Sequence, residues 1–97
     1  IGSKQLFERS LGIFETKSMS SAINAMSVIV RDKSINIINK QILGDGIVAL
    51  IFTGRLGAMK QAFKEGAEHL SKTNDFRAFH LVPMPHKNLL SVFGIKG

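Results

Sequence analysis

The chain has 97 residues, which is enough for one domain with a single hydrophobic core and too few for a second. It contains no cysteine, which excludes disulfides, thiol nucleophiles and Cys-ligated clusters, and no apolar run approaches the roughly 18 residues of a membrane helix. The net charge of +6 suggests nucleic acid as a possible partner. However, the 13 Lys and Arg are scattered along the chain, and Tyr and Trp, which could stack on bases, are absent. We therefore expect a diffuse, solvated charge and no nucleic-acid partner.

The first half of the chain predicts a strand, a helix and a second strand. Residues 1–9 are polar and mixed, and we expect them to form a short arm or a lead-in to the first strand, whereas the apolar run 11–16 is typical of a buried strand. Ser18 offers an N-cap hydroxyl for a helix that the charged segment 31–33 closes. Apolar residues recur in this helix at intervals of three and four and so predict one apolar face: Met19, Ala22, Ile23, Met26, Ile29 and Val30. A second extended run follows over 35–43.

The second half of the chain predicts a strand, a helix, a strand and a short final helix. A tight glycine-flanked turn at 44–46 joins the preceding run to a strand over 47–52, which indicates a hairpin. A helix over 56–72, a strand over 76–82 and a short helix over 86–92 follow. The order β-α-β-β-α-β-α predicts an α/β (α+β) fold of the split βαβ, ferredoxin-like type. Its sheet has four antiparallel strands, and the helices pack on one face.

The residues at three junctions between elements say more about function than the order of the elements does. The first strand contains Leu-Gly-x-x-Glu-Thr over 11–16, the hairpin turn reads Leu-Gly-Asp-Gly over 43–46, and the last strand leaves through Pro-Met-Pro-His over 83–86. Together these segments resemble the single-domain shell proteins of bacterial microcompartments, with a shell domain over 10–93 and a tail over 94–97. The resemblance implies a flat hexamer around a central pore, and hexamers that tile edge to edge into a shell facet.

The resemblance also implies which residues line the pore: Leu43, Gly44, Asp45 and Gly46. Asp45 lies where the family often has serine. In one chain it is a common turn residue, but around a sixfold axis it becomes a ring of carboxylates. At a spacing of about 6 Å and an effective dielectric of about 20, neighbouring carboxylates repel by roughly 3 kcal/mol, so we expect partial protonation, a bound cation or ordered water. Such a pore disfavours anions and passes neutral or cationic metabolites.

The resemblance implies contacts between hexamers in two places. One is near the end of the first helix, at Arg31 and Lys33, and the other is at the Pro-x-Pro turn, at Pro83, Met84, Pro85 and His86. The family commonly has arginine at the position of Met84. Methionine fills apolar gaps, but it lacks the five donors of a guanidinium. We therefore expect weaker sheet formation, or a bent or minority component. Arg55 also departs from the family, which usually starts the second helix with aspartate, and a cation there is mildly unfavourable.

The partners that the resemblance implies are further copies of this chain, other shell proteins and encapsulated enzymes. The first residues lack the apolar core of a secretory signal. We therefore expect a protein of the bacterial cytoplasm, located in the shell of a microcompartment, with no membrane partner.

An enzyme is the first alternative, and the residues argue against it. The 3 histidines, His69, His80 and His86, have no metal-ligand spacing, and the carboxylates are few and dispersed. No phosphate-binding loop and no nucleophile elbow is present. We predict no enzyme activity, and no catalytic, cofactor or metal site.

A ligand-binding regulatory module is the second alternative, because similar split βαβ domains bind small effectors between subunits. Such a module needs a pocket with a few convergent polar groups. Asn24, Asn36, Asn39 and Gln41 are candidates for these groups, and they are equally compatible with solvated positions on the helix and strands.

Overall fold

The computed structural model describes residues 9–83 of the chain. These residues form four strands and two helices: β1 (Arg9–Thr16), α1 (Met19–Ile29), β2 (Asn36–Ile42), β3 (Val48–Arg55), α2 (Leu56–Ser71) and β4 (Phe76–Pro83). The predicted order of these elements is confirmed. The predicted final helix, the tail and all of the predicted arm except Arg9 lie outside the described residues.

The four strands form one antiparallel sheet in the order β2-β3-β1-β4. The order confirms the predicted split βαβ arrangement, in which β1 lies between β3 and β4, so β2 and β4 are the two edge strands. A register shift between Ile37 and Asn39 interrupts the ladder of β2, and another between Glu15 and Thr16 interrupts the ladder of β4. Both edges are therefore irregular, which discourages pairing with further strands.

The first helix begins with the predicted N-cap. The backbone N–H of Ser21 donates to the hydroxyl of Ser18 at 3.1 Å, and the N–H of Ser18 donates to the hydroxyl of Ser21 at 3.1 Å. This reciprocal capping box satisfies two donors that the helix itself leaves free. The second helix begins after Arg55, whose side chain makes no capping hydrogen bond.

Phenylalanine rings join α2 to three strands of the sheet. The ring of Phe63 in α2 lies edge-on to Phe14 of β1 at 5.4 Å, to Phe52 of β3 at 5.5 Å and to Phe79 of β4 at 5.5 Å between centroids. Phe14, Phe52 and Phe63 are all fully buried. Burial of each ring contributes about 1.5–3 kcal/mol, and favourable ring pairs add to this.

The buried face of α1 is narrower than its apolar face. Ala22, Ala25 and Ile29 are fully buried, but Ile23 is 55% exposed and Val30 is 37% exposed. The apolar face predicted from the sequence is therefore wider than the part of α1 that is buried in the core. The small side chains of Ala22 and Ala25 turn toward the core, and Ile23 lies to the side of this contact, over β2.

Gly12 provides a sharp test of this packing. A Cβ atom at Gly12 would lie 2.6 Å from Cζ of Phe63, and three other phenylalanines hold that ring in place. We expect Gly12→Ala to lower the free energy of unfolding by about 1–3 kcal/mol because the ring has to shift. Denaturant unfolding followed by circular dichroism measures this.

Gly57 offers the matched control. It is exposed in the first turn of α2, and a Cβ atom there would meet nothing within 4 Å. We expect Gly57→Ala to raise the free energy of unfolding by up to about 1 kcal/mol, since alanine favours the helix. Equal effects of the two substitutions would contradict the proposed packing of Phe63 on Gly12.

Candidate functional site

The predicted pore residues form the turn of the hairpin between β2 and β3. The N–H of Leu43 donates to the carbonyl of Ile47 at 2.7 Å, and the N–H of Ile47 donates to the carbonyl of Gly44 at 3.3 Å. A single 3-10 turn spans Gly44–Gly46. Leu43 and the three residues of this turn are all exposed. The hairpin itself is confirmed, and its turn projects from the end of the sheet.

Two residues of this turn have left-handed backbone conformations. Asp45 has φ 64° and ψ 27°, and Gly46 has φ 79°. Aspartate tolerates this region better than most residues, and glycine enters it without steric cost. Within one chain, the turn geometry therefore accounts for both residues, and it does not by itself require a pore.

Gly44 differs from Gly46, because nothing in residues 9–83 requires a glycine there. Its φ is not positive, and a Cβ atom built on it would meet no atom within 4 Å. A larger side chain would fit in the isolated subunit. If selection keeps glycine at this position, the reason lies outside the single chain.

The predicted edge residues lie at the other end of the sheet. Arg31 and Lys33 are exposed in the turn between α1 and β2, and Pro83 is the exposed last residue of β4. The 8 residues of β3 separate this end from the hairpin turn by about 27 Å. The predicted contacts at Met84, Pro85 and His86 lie outside the described residues.

Asp32 holds the turn that carries Arg31 and Lys33. Its Oδ1 accepts hydrogen bonds from the N–H of Ser34 at 2.9 Å and from the Ser34 hydroxyl at 2.6 Å. These two hydrogen bonds hold the pKa of Asp32 below its usual value of 3.8. Sequence reasoning missed this turn, although the Asp-x-Ser spacing is a known signal for it.

A charged cluster that sequence reasoning missed joins β1 to β4. Nε of Arg77 lies 2.9 Å from Oε1 of Glu15, and Nε2 of His80 lies 3.7 Å from Oε2 of the same carboxylate. Arg77 and His80 are largely exposed, so the cluster contributes modestly to stability. Within residues 9–83, no group of three or more His, Cys, Asp or Glu side chains is arranged to hold a metal ion.

Two surface grooves flank the helices. One has a volume of about 250 Å³ and is lined by Met19, Ala22, Ile23, Met26, Ile37, Lys40 and Leu50. The other, of about 280 Å³, lies between the two helices and is lined by Val28, Ile29, Arg31, Asp32, Ala58, Gln61, Ala62 and Glu65. Neither groove contains any of the four amide side chains considered as ligand-binding groups. In the described part of the chain, no helix is both long enough and apolar enough to cross a membrane.

Comparison with known proteins identifies the family. The model of the BMC domain matches residues 10–85. The chain belongs to the BMC domain family. It is 30% identical to the bacterial microcompartment shell protein PduA of Citrobacter freundii, over 84% of this chain and 88% of PduA. It is 28% identical to the bacterial microcompartment shell protein EutM of Escherichia coli K12, over 91% of this chain and 93% of EutM.

The BMC fold is confirmed by a solved structure. The crystal structure of a microcompartments protein from Desulfitobacterium hafniense superposes with a TM-score of 0.75 at 24% identity. The match covers 84% of this chain but only 47% of that protein, so it bears on the fold alone. The relatives of this BMC domain are structural shell proteins. The predictions of a microcompartment shell protein and of no enzyme activity are therefore confirmed.

Gly44 and Gly46 of the hairpin turn should differ in how much a substitution by alanine destabilises the fold. We expect Gly46→Ala to lower the free energy of unfolding by about 1–2 kcal/mol, because alanine has to adopt a positive φ. Gly44→Ala should leave it within about 0.5 kcal/mol of the parent value, since the added methyl group meets nothing in one chain. Denaturant unfolding of both variants tests this, and an equal loss at both positions would contradict the described turn.

Proposed function

We propose that six copies of this shell protein close into a ring, with the hairpin turn of residues 43–46 at the axis and Arg31, Lys33 and residues 83–86 at the outer edge. The single observation that carries the proposal is that the two predicted groups, so far as they are described, lie at opposite ends of the same strands. Strands that run outward from the axis place the turn at the centre and the edge residues at the rim.

The glycine at position 44 supports this arrangement. Six copies of the turn converge on one axis, so each has less free space there than it has in a single chain. Glycine allows such close approach of backbones. The space around Gly44 is open in the described part of one chain, so crowding by neighbouring copies in the ring would explain why this position is a glycine.

Asp45 gives the proposed pore its charge. Each ring carries six of these carboxylates on exposed turns, and closely spaced carboxylates raise the energy of an approaching anion. The pore therefore disfavours anions and passes neutral or cationic metabolites. This selectivity is local, because the chain as a whole has a net charge of +6.

The partners and the location follow from the same proposal. The ring packs against other shell proteins of the compartment and encloses its enzymes, in the bacterial cytoplasm. Met84 at the rim lacks the donors of arginine, and weaker tiling of rings into flat sheets stays a prediction. The ligand-binding alternative gains no support, because the candidate amides line neither of the two grooves.

Native mass spectrometry tests the ring. We expect the parent protein at six times the chain mass, and we expect Gly44→Leu to shift it to smaller species because six added side chains crowd the axis. Gly57→Leu is the matched control, since Gly57 is equally open in one chain but lies in α2, away from the turn. A monomeric parent protein, or a ring of another size, would contradict the proposal.

Ion selectivity tests the role of Asp45. In planar bilayers under a salt gradient, we expect the parent ring to show a cation-selective reversal potential, because its carboxylates repel anions. Asp45→Asn removes the charge but keeps the shape and tolerates the left-handed backbone, so its reversal potential should move toward zero. Asp45→Ser should behave like Asp45→Asn. Identical reversal potentials in all three proteins would contradict the proposed role of Asp45 in ion selectivity.

A further inference from the structure

Three turns of the chain meet at the hairpin end of the subunit. The N–H of Lys17, between β1 and α1, donates to the carbonyl of Asp75, between α2 and β4, at 3.1 Å. On its other side, the carbonyl oxygen of Lys17 lies 3.7 Å from where a Cβ atom of Gly46 in the hairpin turn would be. Since Asp45 is the residue next to Gly46, the backbones of Lys17 and Asp45 come within about 10 Å of each other.

The backbone at this point is fixed by the fold. Thr16, directly before Lys17, is fully buried, and its hydroxyl lies 3.0 Å from the carbonyl of Ser18 and 3.3 Å from the carbonyl of Val48, the first residue of β3. Lys17 itself is exposed. The side chain of Lys17 therefore leaves the subunit at a defined place beside the hairpin turn.

The ammonium group of Lys17 is held by a neutral acceptor. Its Nζ donates to Oδ1 of Asn74 at 3.4 Å, and Asn74 has a left-handed backbone with φ 60°, which asparagine tolerates. In the described part of the chain, this amide oxygen is the polar partner of the ammonium group, and no carboxylate forms an ion pair with it. The positive charge of Lys17 is therefore held in place but is not neutralised there.

The stability of the first helix does not account for a cation at position 17. Lys17 directly precedes Ser18, the N-cap of α1, and the N-terminus of a helix carries a partial positive charge. The first turn of α1 contains no acidic residue that would offset a second positive charge. A lysine here is mildly unfavourable for the helix, so its charge has to be explained by something other than the helix.

The other charges near this end of the subunit have local roles. The carboxylate of Asp75 accepts a hydrogen bond from the hydroxyl of Thr73. Lys72 is the C-cap of α2, where a cation suits the negative end of the helix. Asp45 and Lys17 remain as the two charges beside the hairpin turn that neither helix uses, and they have opposite signs.

We propose that Lys17 is a specificity-determining residue of the pore, and that its six copies form a second ring of charge that weakens the cation preference set by Asp45. The proposal rests on the ring and the pore proposed above. The Debye length is about 8 Å at an ionic strength of about 0.15 M, which is comparable with the separation of Lys17 from the turn, so an ion at the pore experiences both rings. Asn74 is a positioning residue, because it holds the ammonium group beside the turn.

Reversal potentials in planar bilayers test the second ring of charge. Lys17→Met removes the ammonium group but keeps an unbranched side chain, and we expect it to raise the cation-to-anion permeability ratio about two- to fivefold over the parent. Lys60→Met is the matched control. It removes the same charge from an exposed position near the start of α2, at the end of the subunit away from the hairpin turn, and should leave the ratio at the parent value.

A second variant reaches the same charge by another route. Asn74→Asp places a carboxylate beside the ammonium group of Lys17 and tolerates the left-handed backbone. It should therefore raise the permeability ratio in the same direction as Lys17→Met. Both effects should shrink when the salt is raised to about 1 M, where the Debye length falls to about 3 Å. A change that persists in full at high salt would contradict an electrostatic role for Lys17.

The outcomes separate this inference from the pore itself. Circular dichroism and native mass spectrometry first confirm that each variant is folded and assembled. If Asp45→Asn shifts the reversal potential but Lys17→Met behaves like Lys60→Met, the pore stands and the role of Lys17 is wrong. A lower permeability ratio in Lys17→Met would overturn that role as well. If the parent protein forms no ring, the pore fails, and the role of Lys17 fails with it.

Discussion

The contact between the ring of Phe63 and the bare backbone of Gly12 determines how the rest of the subunit is arranged. Because the central strand has no side chain at that point, α2 approaches the sheet closely enough for one ring to reach phenylalanines on three strands. The aromatic cluster fills the middle of the helix-covered face. The smaller side chains of α1, such as Ala22 and Ala25, complete the cover. The exposed large apolar side chains lie beside this covered face, on α1 at Ile23 and on β2 at Ile37 and Ile42.

Local patterns predicted most of the fold. The N-cap at Ser18, the glycine-flanked turn and the apolar stripes all act over a few residues, so the sequence alone contains them. The exposure of Ile23 and Val30 was not predictable in this way. A helix in an assembling protein has a wide apolar stripe, and periodicity cannot separate the part that faces its own core from the part that faces another chain. The pairing of Glu15 with Arg77 depends on strand register, which no local pattern gives.

For the candidate site, the sequence identified the residues, but its local patterns did not give their role. The residues of the hairpin turn were found from the sequence, but their assignment to a pore came from resemblance to a family. The conformations of Asp45 and Gly46 satisfy the needs of an ordinary turn, so geometry within one chain cannot distinguish a turn from a pore. Gly44 is the more informative residue, because no contact in the described part of the subunit requires a glycine there. A residue that one chain does not need is a useful guide to what several chains need.

The hairpin turn has a consequence for how such proteins diversify. The side chain of Asp45 is exposed, and neither Leu43 nor Gly44 is buried in the core. Folding therefore places few demands on Leu43 and Gly44, whereas Asp45 and Gly46 are both restricted by their left-handed backbone conformations. Changes of charge at the turn that keep its backbone conformation can therefore accumulate without loss of the subunit fold. In the ring proposed above, the charge at the axis then depends on a position where the fold of the subunit constrains the backbone and leaves the side chain free to vary.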